Sequence, residues 1–248
     1  MGKGSTLDQY RAALAWLVYG LICVWLAIAL VWWVFARLDY GYPVFYSVMD
    51  IDTHIATYAP ANVTRRGFEA LGAEEHKAAF SAIRKAVHDH GEGLSQISYR
   101  GPAGQPTPLL IPTEVAHLED VADLLARAFR VSLVVAALWL PLGMATQRLP
   151  MPSWRQRAVM ASVIALPVVL WLLIAGPKAV FYQWHIWLFP PENPWFFYWE
   201  DSLMSTLMKA PYLFGAIAVV LVAGAALLTP LLYMLGRTIV RPIAGGRA

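Results

Sequence analysis

Residues 12–36 read AALAWLVYGLICVWLAIALVWWVFA, 25 consecutive positions without Asp, Glu, Lys or Arg. A helix that crosses a bilayer needs about 20 mostly apolar residues. Three later intervals, 131–147, 158–177 and 210–236, share this property, and only 14% of the chain is charged, where a soluble domain carries about 25%. We therefore predict a mainly α membrane protein with four transmembrane helices, at 12–36, 129–147, 158–177 and 210–236.

The distribution of Lys and Arg predicts how these helices are oriented. The N-terminal tail, the loop 148–157 and the tail 237–248 hold eight basic residues and one acid, Asp8. Short segments rich in Lys and Arg remain in the cytoplasm. Both termini are therefore predicted to be cytoplasmic, and 39–128 and 178–209 to lie outside. The net charge of +3 is a topology signal, and no nucleic-acid partner is expected.

Residues 39–128 are too long for a plain connection and are predicted to fold as a small α+β cap. A helix is expected from Ala73 to Asp89, where Phe80, Ile83 and Val87 share one face. Short apolar runs at 94–99 and 109–111 flank glycines and prolines, which favours a hairpin-like pair. A further helix is expected to begin at Thr113 and to continue into the second span.

His117 lies on this last helix and is a candidate functional residue. Glu114 is on the same face, and Asp120 follows one turn later. Carboxylates in these places can fix the tautomer of a histidine and raise its basicity. The alternative is an ordinary interfacial or salt-bridged histidine.

The segment 178–209 is predicted to be an aromatic extracytoplasmic loop. Ten of the 21 residues from 179 to 199 are aromatic, and His185 lies among them. Glu192 and three prolines argue against a fifth span. Trp and Tyr collect at headgroup depth for structural reasons, but an ionisable group at membrane depth is costly and often functional.

Other kinds of site have weaker signals. His88-Asp89-His90 has no third ligand at a recognisable spacing, so no metal is predicted. The sequence contains no phosphate-binding glycine loop and no Gly-x-Ser-x-Gly motif, and no cofactor is predicted. Cys23, the only cysteine, lies within the first span and is expected to be a packing residue.

Two stretches resemble the lipoprotein intramolecular transacylase (Lit) family of bacterial membrane enzymes. Residues 114–121, EVAHLEDV, are similar to the family's Glu-x-x-His-hydrophobic-x-Asp-Val motif before the second span. Residues 181–185, FYQWH, with Phe189, Trp195 and Asp201 downstream, are similar to its Phe-His motif with a later Trp and Asp. The order of one span, a cap, two spans, an aromatic loop and one span also matches.

The resemblance implies an acyltransferase of the bacterial inner membrane with its site at the extracytoplasmic face. Its substrate would be a diacylated lipoprotein, whose sn-2 acyl chain moves to the α-amine of its N-terminal cysteine and leaves a lyso-form lipoprotein. His117 would deprotonate the amine, assisted by Asp120 or Glu114, while His185 polarises the carbonyl or protonates the leaving oxygen; the reverse assignment is also open. Asp201 is a further supporting residue, and the expected substrate-binding residues are Phe181, Trp184, Trp187, Phe189, Asn193 and Trp195.

Two alternatives stay open at this point. The same histidines suit another membrane-surface acyltransferase or a lipid hydrolase, and hydrolysis would release fatty acid. A non-catalytic envelope partner would instead depend on the exposed helix from Ala73 to Asp89. A transporter is less favoured, because the charge-free intervals 12–36, 131–147, 158–177 and 210–236 hold no Asp, Glu, Lys, Arg or His.

Overall fold

The computed structural model describes residues 6–238, and its secondary structure is mostly helical. Lys3, Arg241, Arg247 and most of the predicted tail 237–248 lie outside the described residues. The helices are α1 (Thr6–Arg37), α2 (Tyr42–Val48), α3 (Ile51–Tyr58), α4 (Ala73–His88), α5 (Pro112–Gln147), α6 (Trp154–Ala175), α7 (Pro177–Leu188), α8 (Leu203–Leu207) and α9 (Tyr212–Thr238). The strands are β1 (Ser98–Arg100) and β2 (Pro106–Pro108).

Four helices, α1, α5, α6 and α9, are long and apolar enough to cross a membrane. They match the four predicted intervals in the predicted order, although α6 ends at Ala175, before the predicted end at 177, and α9 begins at Tyr212, after the predicted start at 210. Helix α5 also continues the predicted second span back to Pro112 without a break. These four apolar helices indicate a membrane protein.

The chain forms two compact units. The first comprises residues 6–32, 129–174 and 220–238, and the second comprises 33–128 and 175–219. The predicted cap and the predicted aromatic loop, which are separate in sequence, thus belong to one compact unit.

The first unit has a small core built mainly from α1 and α9. Trp16, Tyr19 and Cys23 are almost completely buried in it together with Ala225 and Leu232. The Tyr19 hydroxyl donates to the Tyr233 carbonyl oxygen at 3.2 Å. Cys23 is therefore a buried packing residue, as predicted.

The second unit is organised around α2, α3 and α4. The Tyr42 ring stacks on Phe80 of α4 with centroids 4.0 Å apart. Its hydroxyl donates to the Leu207 carbonyl oxygen at 2.8 Å, so α2 is tied to both α4 and α8. The predicted helix from Ala73 is confirmed and ends at His88, but α2 and α3 were not predicted.

The hairpin is present with different bounds. β1 pairs antiparallel with β2, and Tyr99 lies opposite Thr107. Leu94–Gln96, expected to begin the first strand, instead forms a 3-10 turn after Gly93, whose φ is 83°. The second predicted run, 109–111, follows β2 and leads into α5.

Two further boundaries differ from the sequence prediction. Helix α5 begins at Pro112, because proline has no backbone N–H and the first helical position does not use one. Ile111, rather than Thr113, therefore takes the N-cap position. The predicted aromatic loop contains the helix α7, which ends where Phe189 turns extended before Pro190.

In the first unit, helices α5 and α9 approach each other closely at Gly143, and this contact gives a stability prediction. A Cβ added at Gly143 would lie 2.6 Å from the Gly236 carbonyl oxygen, whereas one added at Gly20 would meet nothing within 4 Å. Gly143→Ala should lower the midpoint of thermal unfolding in detergent by several degrees, because overpacking costs about 1–3 kcal/mol.

Gly20→Ala is the matched control. It should leave the midpoint unchanged or raise it slightly, because alanine favours a helix interior by about 0.5–1 kcal/mol. Equal midpoints for the two variants would contradict the close approach of α5 and α9 at Gly143.

Candidate active site

The second unit brings together the two histidines that the sequence singled out. His117 lies on the first turns of α5, and His185 lies in the last turn of α7. Their ring centroids are 6.2 Å apart, with 33° between the ring planes. Two titratable rings from distant parts of the sequence therefore share one site.

Aromatic side chains surround both rings. Phe181 and Trp195 lie 4.1 and 4.9 Å from the His185 ring, measured between centroids. Phe189 packs edge-on against His117 at 4.8 Å and also contacts His185 at 5.3 Å. The site is thus lined largely by carbon, and polar interactions are stronger in such surroundings than in water.

The tautomer of His185 follows from one hydrogen bond. Its Nδ1 lies 2.8 Å from the Phe181 carbonyl oxygen, one turn earlier on α7. A carbonyl oxygen only accepts, so Nδ1 donates and Nε2 of the neutral ring carries the free lone pair. Burial lowers the pKa of His185 below its ordinary value, and the bond to Phe181 opposes this in part. His185 is therefore neutral at neutral pH.

His117 is more deeply buried, with 8% of its surface exposed. Its Nδ1 is buried and has no hydrogen-bond partner among the described residues. An unsatisfied buried nitrogen costs about 1–3 kcal/mol. An unpaired buried nitrogen of this kind is rare in folded proteins, and this one belongs to a ring that lies beside a second histidine.

Asp120 does not orient His117 through a hydrogen bond, although the sequence suggested that it would. Its Oδ2 accepts from the side-chain amide of Asn193 at 2.7 Å. Asn193 was expected to hold the substrate, but this bond directs its amide towards α5. The pair therefore ties the segment after α7 to the helix that carries His117.

Glu114 is also occupied elsewhere. Its side chain is fully buried, pairs with Arg65 at 3.2 Å and accepts the amide of Ile111 at 2.8 Å. A carboxylate with these partners caps the start of α5. The expectation that Glu114 assists His117 directly is not supported by this geometry.

Asp201 takes part in the hydrogen bonds around the site through its main chain. Its carbonyl oxygen accepts from Arg65 Nη2 at 2.8 Å and from Asn62 Nδ2 at 3.0 Å, while its side chain is exposed. Trp184 and Trp187, expected to bind substrate, are 51% and 65% exposed. Phe181, Phe189 and Trp195 are the predicted aromatic residues that pack on the histidine rings.

Asn62 and Arg65 were not predicted from the sequence, and Phe197 was not distinguished from the other aromatic residues of 181–199. Phe197 lies 6.1 Å from the His117 ring, and Arg65 is 49 positions away from its partner Glu114. No spacing rule connects residues so far apart. The one hint to Arg65 in the sequence is that two adjacent arginines, Arg65 and Arg66, lie in a segment with more acidic than basic residues.

His88, one of the histidines of the predicted cap, is paired with a tyrosine. His88 Nε2 lies 2.6 Å from the Tyr40 hydroxyl. Within residues 6–238, no group of three or more His, Cys, Asp or Glu side chains is arranged to hold a metal ion.

Comparison of the sequence with protein families and with curated proteins, and of the structure with solved structures, gives no significant match.

The bond between Asp120 and Asn193 gives a testable prediction. Asn193→Ala should make residues 190–199 more mobile, because it removes their side-chain hydrogen bond to α5. Hydrogen–deuterium exchange of a peptide from this segment should become about tenfold faster, as expected when a local tie is lost.

Glu192→Ala changes an exposed neighbouring side chain and is the control. Its exchange should match that of the wild type. If Asn193→Ala also exchanged at the wild-type rate, the bond would not hold the segment.

Proposed function

We propose that this chain is a membrane acyltransferase that moves an acyl chain within one lipoprotein molecule. The sn-2 acyl chain of the diacylglyceryl group would pass to the α-amine of the N-terminal cysteine. The product is a lyso-form lipoprotein with one N-linked and one O-linked chain. The motifs that resemble the Lit family include both histidines of the site.

The observation that carries this proposal is the 6.2 Å separation of the His117 and His185 rings. A general acid and a general base that serve one reacting centre must both come within hydrogen-bond reach of it. Rings more than about 10 Å apart would not meet this requirement. The observed separation meets this requirement, because nitrogen atoms of both rings can reach groups of one substrate.

The hydrogen bonds favour one assignment of roles. His185 Nε2 carries a lone pair and its ring is held by the Phe181 carbonyl, so His185 is the base that takes a proton from the attacking amine. His117 lacks an orienting carboxylate and interacts with the ester through its unpaired imidazole, polarising the carbonyl oxygen. This is the reverse of the first assignment considered from the sequence.

In the proposed acyl transfer, the amine nitrogen forms a bond to the ester carbonyl carbon and loses one proton to His185. The bond between that carbon and the sn-2 glyceryl oxygen then breaks, and the departing oxygen takes up a proton from the histidine pair. No other acyl donor is consumed, and the rings return to their starting state.

The surroundings suit a lipid substrate. Phe181, Phe189 and Trp195 confine the ester and amine, and a well-oriented intramolecular reaction gains several kcal/mol from such confinement. On α7, Trp184, Ile186 and Trp187 are more than half exposed. Indole rings favour the headgroup region, where the acyl chains of a lipoprotein enter.

We further propose that the site faces the extracytoplasmic side of a bacterial inner membrane, with both termini in the cytoplasm. This orientation rests on the Lys and Arg residues of the tails and of the loop 148–157.

Replacing either histidine tests the proposal. His117→Ala and His185→Ala should each lower the rate of lyso-form production by about 10²–10⁴-fold, the usual contribution of a positioned acid or base. Mass spectrometry of the N-terminal peptide of a diacylated lipoprotein measures this rate.

His90→Asn is the control, because His90 is exposed in the same unit and asparagine tolerates its positive φ of 56°. It should act like the wild type. A His117 or His185 variant that retained the wild-type rate would remove that residue from the mechanism.

The lowered pKa of His185 can be tested by direct titration. Because burial disfavours the protonated ring, the His185 imidazole should lose its charge below about pH 6.5, the ordinary histidine value. NMR titration of the histidine rings in detergent micelles from pH 4.5 to 8, with His185→Ala to assign the signal, measures this without interference from the substrate α-amine, whose pKa is about 7.7–8.0. A His185 ring that became protonated at or above the ordinary value would contradict its role as a neutral base.

A further inference from the structure

We infer that Arg65, together with Asn62, is a positioning residue for the proposed acyl transfer, because it clamps the start of α5 to the end of the aromatic segment. This inference rests on the proposed function. Neither residue touches the histidine rings, so their effect is exerted through the segments that they hold.

Arg65 is buried, with 6% of its surface exposed, and its guanidinium donates to three acceptors. Nη1 donates to the Leu109 carbonyl at 2.7 Å and to Glu114 Oε2 at 3.2 Å. Nη2 donates to the Asp201 carbonyl at 2.8 Å. The side chain therefore joins the strand exit, the first turn of α5 and the segment before α8.

Asn62 completes the clamp. It is 4% exposed, its Oδ1 accepts the Arg65 backbone amide at 3.1 Å, and its Nδ2 donates to the Asp201 carbonyl at 3.0 Å. The Asp201 oxygen thus receives one donor from each residue. Asn62 also fixes the backbone from which the Arg65 side chain extends.

Each acceptor is close in sequence to a residue of the site. Glu114 lies one helical turn before His117. Asp201 follows the segment in which Trp195 packs on His185 and Phe197 packs on His117. The bond between Asp120 and Asn193 holds the other end of the same segment. A shift at Arg65 would therefore move the aromatic segment relative to α5.

Arginine is suited to this place for two reasons. Its planar fork presents five donors in fixed directions, whereas lysine offers a single flexible ammonium group. Its charge also compensates the fully buried Glu114 carboxylate, which would otherwise remain in the interior without a counter-charge.

The experiment compares Arg65→Met, Arg65→Lys and Asn62→Ala with Arg66→Met, in which an exposed neighbouring arginine is changed. Asn62→Ala removes part of the clamp without leaving a buried charge, so it stays informative if Arg65→Met folds poorly. Spin labels at positions 123 and 200, both exposed, report the distance between α5 and the aromatic segment. Cys23, which is buried, is replaced by alanine in all versions.

We expect Arg65→Met and Asn62→Ala to broaden the distance distribution and to lower kcat by about 10- to 100-fold, the loss expected from misplacing reacting groups by about 1 Å. KM should change much less, because the aromatic lining remains. Arg65→Lys should recover only part of the rate, and Arg66→Met should match the wild type. Loss of kcat with an unchanged distance distribution, or a changed distribution with an unchanged kcat, would overturn the inference.

If the proposed function is wrong, the experiment gives a different result from the one expected if only the positioning role is wrong. If the unmodified chain makes no lyso-form lipoprotein, the acyl transfer itself is wrong, and a positioning role for Arg65 in it falls as well. If the wild type is active and both clamp variants keep its kcat, only the inference about Arg65 and Asn62 is wrong.

Discussion

The site depends on the packing of residues 181–201 against the first turns of α5. Aromatic contacts supply most of this packing, since Phe189 touches both histidine rings and Phe197 touches His117. Two polar ties fix its position, one from Asp120 to Asn193 and one from Arg65 to the Asp201 carbonyl. Apolar packing alone would allow the segment to slide, whereas buried hydrogen bonds have a definite geometry.

This packing also determines the chemistry available to the histidines. Burial disfavours the protonated form of His185, while the Phe181 carbonyl selects its tautomer. Each carboxylate that might have formed a hydrogen bond with His117 is engaged elsewhere: Glu114 with Arg65, and Asp120 with Asn193. The result is a neutral His185 beside an unpaired His117 in aromatic surroundings, which suits proton transfer during acyl chemistry better than ion binding.

The sequence predicted the features that depend on local composition. Charge-free intervals located the four apolar helices, and the spacing of Phe80, Ile83 and Val87 located α4. Helix α7 was missed because aromatic residues and nearby prolines favoured a loop. The partner of Glu114 was missed because Arg65 is far away in sequence. The two histidines were recognised from their neighbours, but the side chains that position them are defined only by the folded chain.

An isotope label tests most directly whether the acyl chain moves within one molecule. A diacylated lipoprotein that carries a heavy-isotope acyl chain at sn-2 is incubated with the purified protein, and its N-terminal peptide is analysed by mass spectrometry. With the proposed transfer, the label appears on the cysteine α-amine and the total number of acyl chains on the peptide is unchanged. Label recovered as free fatty acid, on a second lipoprotein molecule, or still at sn-2 would contradict it.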